Sequence, residues 1–443
     1  MVSFVASKDM PTLPKSFWTK VFWNNQFRVK IGLPTRSKYP NLEGKVAIIT
    51  GANCGLGFES AKQLLILGVS HLVVAVRSIE KGKAAASKLR LANSAATIDV
   101  WALDMESYDS VQAFVGKCDT ELSRIDYAIL NAGLGPMAMH TNPSTGHETT
   151  IQVNHISTIL LTILLLPVLK AKSTRDNPAR LTVVNSIMAH LCKFPNRNQR
   201  PLLPSFDDTN ITKWDPVERY GVSKLLQQLF LVKLTEHVKS DDVVINMVDP
   251  GLTKGTGLGR EAHGALRIAS GIFNGIAARP VDRGAATYID ALLGHGKESH
   301  GCFLMNTEIS PYVFLLSLLS FLFSFHLISR RLSGFCNIAD RVNQLQTCYF
   351  LLHRRRKEGD RTGLGRDYEG AELCPCGGDC RFYEVIAVNI YRAYLFCGIM
   401  PPGRDILMEK SLSRRRQFER LGPGHLVPSH VIQLLSLTIP FLL

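Results

Sequence analysis

Short apolar runs alternate with longer amphipathic ones along the first two thirds of the chain. The strand-like runs cover residues 45–50, 71–76, 97–102, 127–130, 180–185 and 242–248. Helix-like stretches at about 57–67, 79–91, 107–122, 148–171 and 216–238 separate them. Strands rich in Val and Ile, alternating with helical stretches of ten or more residues, predict right-handed βαβ units. The expected α/β architecture is a doubly wound parallel sheet covered on both faces. In such a sheet a ligand belongs at the carboxyl ends of the strands.

The alternation predicts a single α/β domain over 43–310. Residues 1–42 precede it as a helical extension. Ser16 is placed to cap a short helix with Phe17, Trp18, Val21 and Phe22 on one side. The favoured reading is a helix packed on the main domain. The alternative is contact with a membrane surface or with the mouth of an apolar substrate site. Residues 311–443 form an unassigned tail without sustained periodicity. Its segment 311–328 carries no charge and is followed by Ser329-Arg330-Arg331. Eighteen residues are the lower limit for a spanning helix, and an interfacial or re-entrant membrane anchor fits the flanking charges better. Arg354-Arg355-Arg356-Lys357 and Arg414-Arg415-Arg416 are candidate contacts to anionic lipid. Cys374, Cys376 and Cys380 form half of a zinc-ligand pattern, and no bound metal is expected.

The stretch Thr50-Gly51-Ala52-Asn53-Cys54-Gly55-Leu56-Gly57 stands where the first strand turns into the first helix. Glycines there remove the Cβ that would block a pyrophosphate, and the new helix offers free N–H groups and a positive dipole end. This predicts a dinucleotide site of Rossmann type built on Gly51, Asn53, Gly55, Leu56 and Gly57. Arg77 ends the second strand, where an acid would favour NAD; an arginine fork suits the 2′-phosphate of NADP. Asp104 is placed to accept from an adenine amino group or to serve as an acid before the next helix. Asn131-Ala132-Gly133 lets backbone pass close to the cofactor ribose. Tyr220 and Lys224 fall four apart on one helical stretch, so they share a face. A cation there lowers a phenol pKa and yields a proton donor or acceptor usable near neutrality. Ser186, ending the fifth strand, is placed to bond a substrate oxygen. Asn154 is placed to hold a water or backbone group in a relay to Lys224.

Composition changes this picture little. A hydrophobic fraction of 46% is ample for a core. The net charge of +14 is spread over both parts of the chain, and no nucleic-acid-reading motif accompanies it. It suits a phosphorylated cofactor, and nucleic acid is not an expected partner. Only Cys54, Cys118, Cys192 and Cys302 fall within the first 310 residues, which reads as reduced thiols in the cytoplasm. Lys8, Asp9, Pro11, Pro14 and Lys15 interrupt any apolar leader core.

Taken together, the glycine turn, Asp104, Asn131-Ala132-Gly133, Asn154, Ser186, Tyr220 with Lys224, and Asp249-Pro250-Gly251 resemble the short-chain dehydrogenase/reductase family in order and spacing, over about residues 43–306. The resemblance implies reversible hydride transfer between a nicotinamide and a carbonyl or alcohol carbon. It implies Tyr220 as acid/base and Lys224 as the residue that lowers its pKa and holds the nicotinamide ribose. Ser186 would polarise the substrate oxygen, Asn154 support the proton relay, and Pro250, Gly251 and Thr253 border the nicotinamide. The spacing of 34 between Ser186 and Tyr220 is similar to that of the retinol-dehydrogenase-like branch. Ala75-Val76-Arg77-Ser78 and Arg219-Tyr220-Gly221-Val222-Ser223-Lys224 resemble reductases of fungal secondary-metabolite pathways more closely. Two positions depart from the family: Asn185 stands where a second serine is common, and Cys54, read as a small packing residue, lies inside the glycine turn. The loops 187–215 and 251–280 are expected to wall an apolar substrate with Leu191, Phe194, Leu202, Leu203, Phe206 and Trp214. The leading expectation is an NADP-dependent oxidoreductase interconverting a ketone and a secondary alcohol on an apolar metabolite. A retinol- or lipid-type dehydrogenase, and a cofactor-binding regulator without catalysis, are the alternatives.

Overall fold

The computed structural model describes residues 5–312 except 12, 14–16, 40–41, 256–270 and 272. Two units are distinguished, Met1–Arg197 with Pro204–Leu332 and Asn198–Leu203 with Ser333–Leu443; the fold below is that of the first. Ser16, the apolar segment from residue 313 onward, the basic clusters and Cys374, Cys376 and Cys380 lie outside the described residues.

Eight strands form one sheet: β1 (Val46–Thr50), β2 (His71–Val76), β3 (Thr97–Ala102), β4 (Tyr127–Leu130), β5 (Ala179–Val184), β6 (Val243–Asp249), β7 (Phe303–Met305) and β8 (Glu308–Ser310). Their order is β3-β2-β1-β4-β5-β6-β7-β8. Every neighbour pair is parallel except β7 with β8. Chain order reverses direction between β1 and β4, which opens a crevice at their carboxyl ends. In register, Thr50 pairs Ala75, Val76 pairs Ala102, Leu130 pairs Val183 and Val184 pairs Val248. The strands therefore end along one edge of the sheet.

The helices are α1 (Gly55–Ile66), α2 (Ile79–Leu89), α3 (Tyr108–Glu121), α4 (Thr149–Ala171), α5 (Pro216–Thr235) and α6 (Val281–Leu293). Ile48, Ile49, Leu72, Val74 and Ile129 have no solvent exposure, so each contributes roughly 1.5–3 kcal/mol by burial. On one face Leu64 and Leu65 of α1 and Tyr288, Ile289 and Leu292 of α6 pack into this core; α3, α4 and α5 form the opposite layer. Among the described residues, α4 alone is long and apolar enough to cross a membrane. The window that qualifies it is 78% buried within the fold, so α4 is a core helix here.

All six expected strands and five expected helices are found, with ends displaced by less than one helical turn. β7, β8 and α6 have no counterpart in the sequence reading. Three-residue strands are too short to carry a period of two. For α6 the signal exists: Ala285, Tyr288, Ile289 and Leu292 are buried at helical spacing. The N-terminal segment forms two π-helical turns, Phe17–Phe22 and Asn24–Arg28, and packs on the main fold. Phe22 stacks on Phe273 at 5.9 Å, Tyr39 donates to Asp290 at 2.6 Å, and the Phe303 N–H of β7 donates to Ser7 at 2.9 Å.

Candidate active site

The turn after β1 has the conformation its glycines permit. Gly51 and Gly55 lie at φ 67° and 59°, a region costly for other residues. At Gly57 a Cβ would stand 2.5 Å from Asn131 Nδ2 and 2.6 Å from the Gly51 carbonyl, so α1 meets the turn only through a glycine. α2, α3, α4 and α5 begin with side-chain caps from Ser78, Ser107, Glu148 and Asp215. Cys54 gives α1 none. The first N–H groups of α1, at Gly55 and Leu56, are thus left to a ligand, and their chemistry fits a pyrophosphate. Cys54 itself is exposed, which corrects its reading as a packing residue.

The neighbouring strand ends supply Arg77 and Asp104. Arg77 is exposed and donates to Glu106 at 2.7 Å. One Asp104 carboxylate oxygen accepts from the Glu106 N–H at 3.0 Å, so it shapes the turn before α3. Asn131 proves to be a clamp. Its amide donates to Thr50 O at 3.0 Å and Gly51 O at 3.3 Å, while Thr50 Oγ1 accepts from the N–H groups of Asn131 and Ala132 at 3.0 and 2.9 Å. The side chain of Asn131 holds the glycine turn, and only its backbone is left to face a ribose.

Ser186, Tyr220, Lys224 and Asn154 are brought together where β5 meets α4 and α5. The Ser186 hydroxyl lies close enough to the Tyr220 phenol to lower its pKa and accepts from the Met188 N–H at 3.2 Å. Lys224, on the same face of α5, is 4% exposed and lies 6.0 Å from the Tyr220 ring centre. Its Nζ donates to Val184 O at 2.8 Å. A Cβ on Gly133 would lie 3.7 Å from Lys224 Nζ and 3.1 Å from Asn154 Oδ1; that glycine leaves the space above the lysine open. Gly221 is equally constrained, because a Cβ there would stand 2.9 Å from Met188 O.

The electrostatics differ from the sequence expectation. Burial pushes the Tyr220 phenol up to about 12; the Ser186 hydroxyl lowers it and Asp249 raises it. Lys224 is not among the groups that shift it. Burial also lowers Lys224 to about 7, so the ammonium is partly neutral near pH 7. Tyr220 keeps partial exposure, and it is the surrounding protein that disfavours the phenolate.

Asn154 sits in a π turn of α4, Gln152–Ser157, a distortion frequent at functional sites. Its side chain is fully engaged. Oδ1 accepts from Leu134 N at 2.9 Å, and Nδ2 donates to Leu134 O at 2.8 Å and Ser223 Oγ at 3.0 Å. It therefore holds backbone and fixes the segment after Gly133.

On the far side of the crevice, Gly251 turns at φ 70° and its N–H donates to Asp249 at 3.0 Å. The other Asp249 oxygen accepts from Ile187 N at 2.9 Å, so one carboxylate ties the chain after Ser186 to the stretch 249–251. Thr253 and Leu56 both close on Gly284, where a Cβ would stand 2.6 Å from Thr253 Oγ1 and 2.8 Å from Leu56 Cδ2. This brings the 250–253 stretch to the first turn of α1. Sequence reasoning missed Gln227 and Gln26, and it named Asn185 and Asp249 without assigning them these contacts. Their only local signal is polarity at positions expected to be buried.

Several expected wall residues pack down instead. Phe194 stacks on Phe206 at 6.3 Å, and the Arg219 guanidinium lies 4.9 Å from Phe206 and 5.5 Å from Trp214. Arg219 is buried beside Glu148 at 3.6 Å, and covering that pair uses these aromatic faces. Leu134, Met137, Met188 and Leu191 are partly exposed on the segments bordering Ser186 and Tyr220.

A doubly wound sheet with serine, tyrosine and lysine gathered near an uncapped glycine turn defines a dehydrogenase-type oxidoreductase. Comparison with known proteins agrees. The short chain dehydrogenase family matches residues 45–192. The short chain dehydrogenase/reductase mfmJ of Annulohypoxylon moriforme is 50% identical over 312 residues, 70% of this chain and 90% of that protein. The short chain dehydrogenase virL of Hypocrea virens is 46% identical over 61% of this chain and 79% of that protein. For opdN of Penicillium oxalicum the identity is 43%, over 61% and 90%. Among solved structures, an NADPH-bound carbonyl reductase from chicken fatty liver is similar with a TM-score of 0.46 and 18% identity, covering 60% of this chain and 99% of that one. The chain belongs to the short-chain dehydrogenase family and is an oxidoreductase.

Proposed function

We propose that this protein uses NADP(H) to interconvert a ketone and a secondary alcohol on an apolar metabolite, as a reductase of fungal secondary metabolism. The observation that carries the reading is the convergence of Ser186, Tyr220 and Lys224 beside Gly133. The N–H groups of Gly55 and Leu56 would hold the pyrophosphate, and Arg77, after exchanging its bond to Glu106, the 2′-phosphate. The bound dinucleotide supplies or accepts the hydride. Ser186 then orients the carbonyl oxygen and Tyr220 donates its proton to that oxygen as the C–H bond forms. The Lys224 ammonium gives a proton back to the tyrosinate, and the resulting amine regains one from water.

A phenol pushed up to about 12 is protonated at neutral pH, the form that ketone reduction requires. The partly exposed Leu134, Met137, Met188 and Leu191 favour an apolar substrate, and the fungal relatives favour a biosynthetic setting. A cytoplasmic location agrees with Cys54, Cys118, Cys192 and Cys302 all being free thiols. The test is NADPH consumption with a panel of apolar ketones, with Tyr220→Phe as control. Turnover that survives Tyr220→Phe unchanged would remove the reading.

A further inference from the structure

One side chain of the N-terminal segment joins two distant pieces of chain beside the cofactor crevice. Gln26 lies on the turn Asn24–Arg28. Its Nε2 donates to Leu252 O at 2.9 Å and to Ala277 O at 2.8 Å. Its Oε1 accepts from Leu252 N at 3.3 Å and from Arg279 Nη2 at 3.2 Å. Gly251 passes close by: a Cβ there would meet Gln26 Oε1 at 2.8 Å and Arg279 Cζ at 2.8 Å. Next to Gln26, the Asn25 carbonyl accepts from Arg279 Nη2 at 2.7 Å, and Asn25 Nδ2 donates to Met305 Sδ of β7 at 3.2 Å.

The stretch so held is the one that carries Thr253. Its own backbone support is short: Arg279 N donates to Leu252 O and Lys254 N to Arg279 O, both at 2.9 Å, around a single bridge between Thr253 and Arg279. A pairing of that length is marginal alone. The amide of Gln26, wedged between Leu252 and Ala277, adds four hydrogen bonds at this point.

We propose that Gln26 is a positioning residue for the nicotinamide end of the dinucleotide, acting through Leu252 and Thr253. The N-terminal segment is thereby a working part of the oxidoreductase. This rests on the reading of Thr253 as a nicotinamide contact. Gln26 itself touches no reacting atom.

The experiment titrates full-length wild type, Gln26→Ala and Gln26→Glu with NADPH and, separately, with 2′,5′-ADP, and measures ketone reduction. The fragment 2′,5′-ADP uses the glycine turn and Arg77 but does not reach Thr253. For Gln26→Ala, the expected result is a kcat lower by roughly 10- to 100-fold, the scale of small misplacements. NADPH should bind about tenfold more weakly, with the affinity for 2′,5′-ADP unchanged. Gln26→Glu keeps the acceptor for Leu252 N and Arg279 but turns an acceptor oxygen toward Leu252 O and Ala277 O, and should show the same pattern of losses. Unchanged kcat and NADPH affinity would overturn the proposal. So would equal weakening of NADPH and 2′,5′-ADP, which marks general loss of structure. If Gln26→Ala does not fold, Gln26→Glu carries the same comparison. Failure of the wild type itself to bind NADPH strikes at the proposed function, and the present inference falls with it.

Discussion

The amide of Gln227 donates to the backbone carbonyl of Asn154 at 2.8 Å, linking the helix of Tyr220 and Lys224 to the π turn of α4. The other end of that amide accepts from Asn185 at 2.9 Å, and Asn185 also donates to the Lys224 carbonyl at 2.9 Å. Asn185, in place of a second serine, thus reaches across to α5. Replacing Gln227 by Leu leaves a buried carbonyl and a buried amide N–H short of partners, at a cost of about 1–3 kcal/mol. The expected outcome is a Tm lower by roughly 2–10 °C, measured by thermal unfolding, with reduced kcat. Asn185→Leu should show much the same loss, and the double variant little more than either alone.

Tyr220→Phe removes the proton donor and keeps the ring. Reduction of the best ketone should fall by about 10²- to 10⁴-fold, followed through NADPH absorbance. NADPH affinity by titration should change little.

Lys224→Met should raise stability while abolishing activity. The lysine is buried, and burial lowers it from 10.5 to about 7. Between those values the unfolded chain binds the proton and the folded chain does not, so wild-type stability rises with pH across that window. The advantage of Lys224→Met is therefore complete below pH 7, on the order of 2–4 kcal/mol. It should shrink as pH rises toward 10.5. Urea unfolding at pH 6 and pH 9.5 measures the difference.

Arg77→Asp removes the fork that Glu106 holds at 2.7 Å. Loss of a charge-assisted bond to phosphate corresponds to about 1.5–3 kcal/mol. NADPH should bind roughly 10- to 100-fold more weakly in titrations, with NADH nearly unaffected. Equal loss for both would show that Arg77 does not read the 2′-phosphate.

Gly57→Ala places a Cβ 2.6 Å from the Gly51 carbonyl, a backbone atom that cannot swing away. Destabilisation of about 1–3 kcal/mol is expected, together with loss of dinucleotide binding. Thermal unfolding with and without NADPH reads both, since ligand-induced stabilisation should vanish.

Much of the molecule was legible from local pattern. β1 to β6 and α1 to α5 announce themselves because periods of two and 3.6 are properties of consecutive residues. The glycine turn and the Tyr220–Lys224 pair are legible for the same reason. Asn131 shows where this stops. The sequence offers its backbone to a ribose, and only the fold shows that its side-chain amide is spent on Thr50 and Gly51. Phe206 and Trp214 read as substrate wall and instead cover Arg219, with Phe194 stacked on Phe206.

The sequence by itself determined the order of strands and helices, the turn that receives a dinucleotide, and the chemical types at the strand ends. Only the tertiary structure decided that Tyr220 lies above its ordinary pKa rather than below it, because burial of a charge depends on everything packed around it. It also decided that Gln26 anchors Leu252, 226 residues away. A hydrogen bond over that separation leaves no trace in spacing; it exists because the fold brings the N-terminal segment against the chain that follows β6.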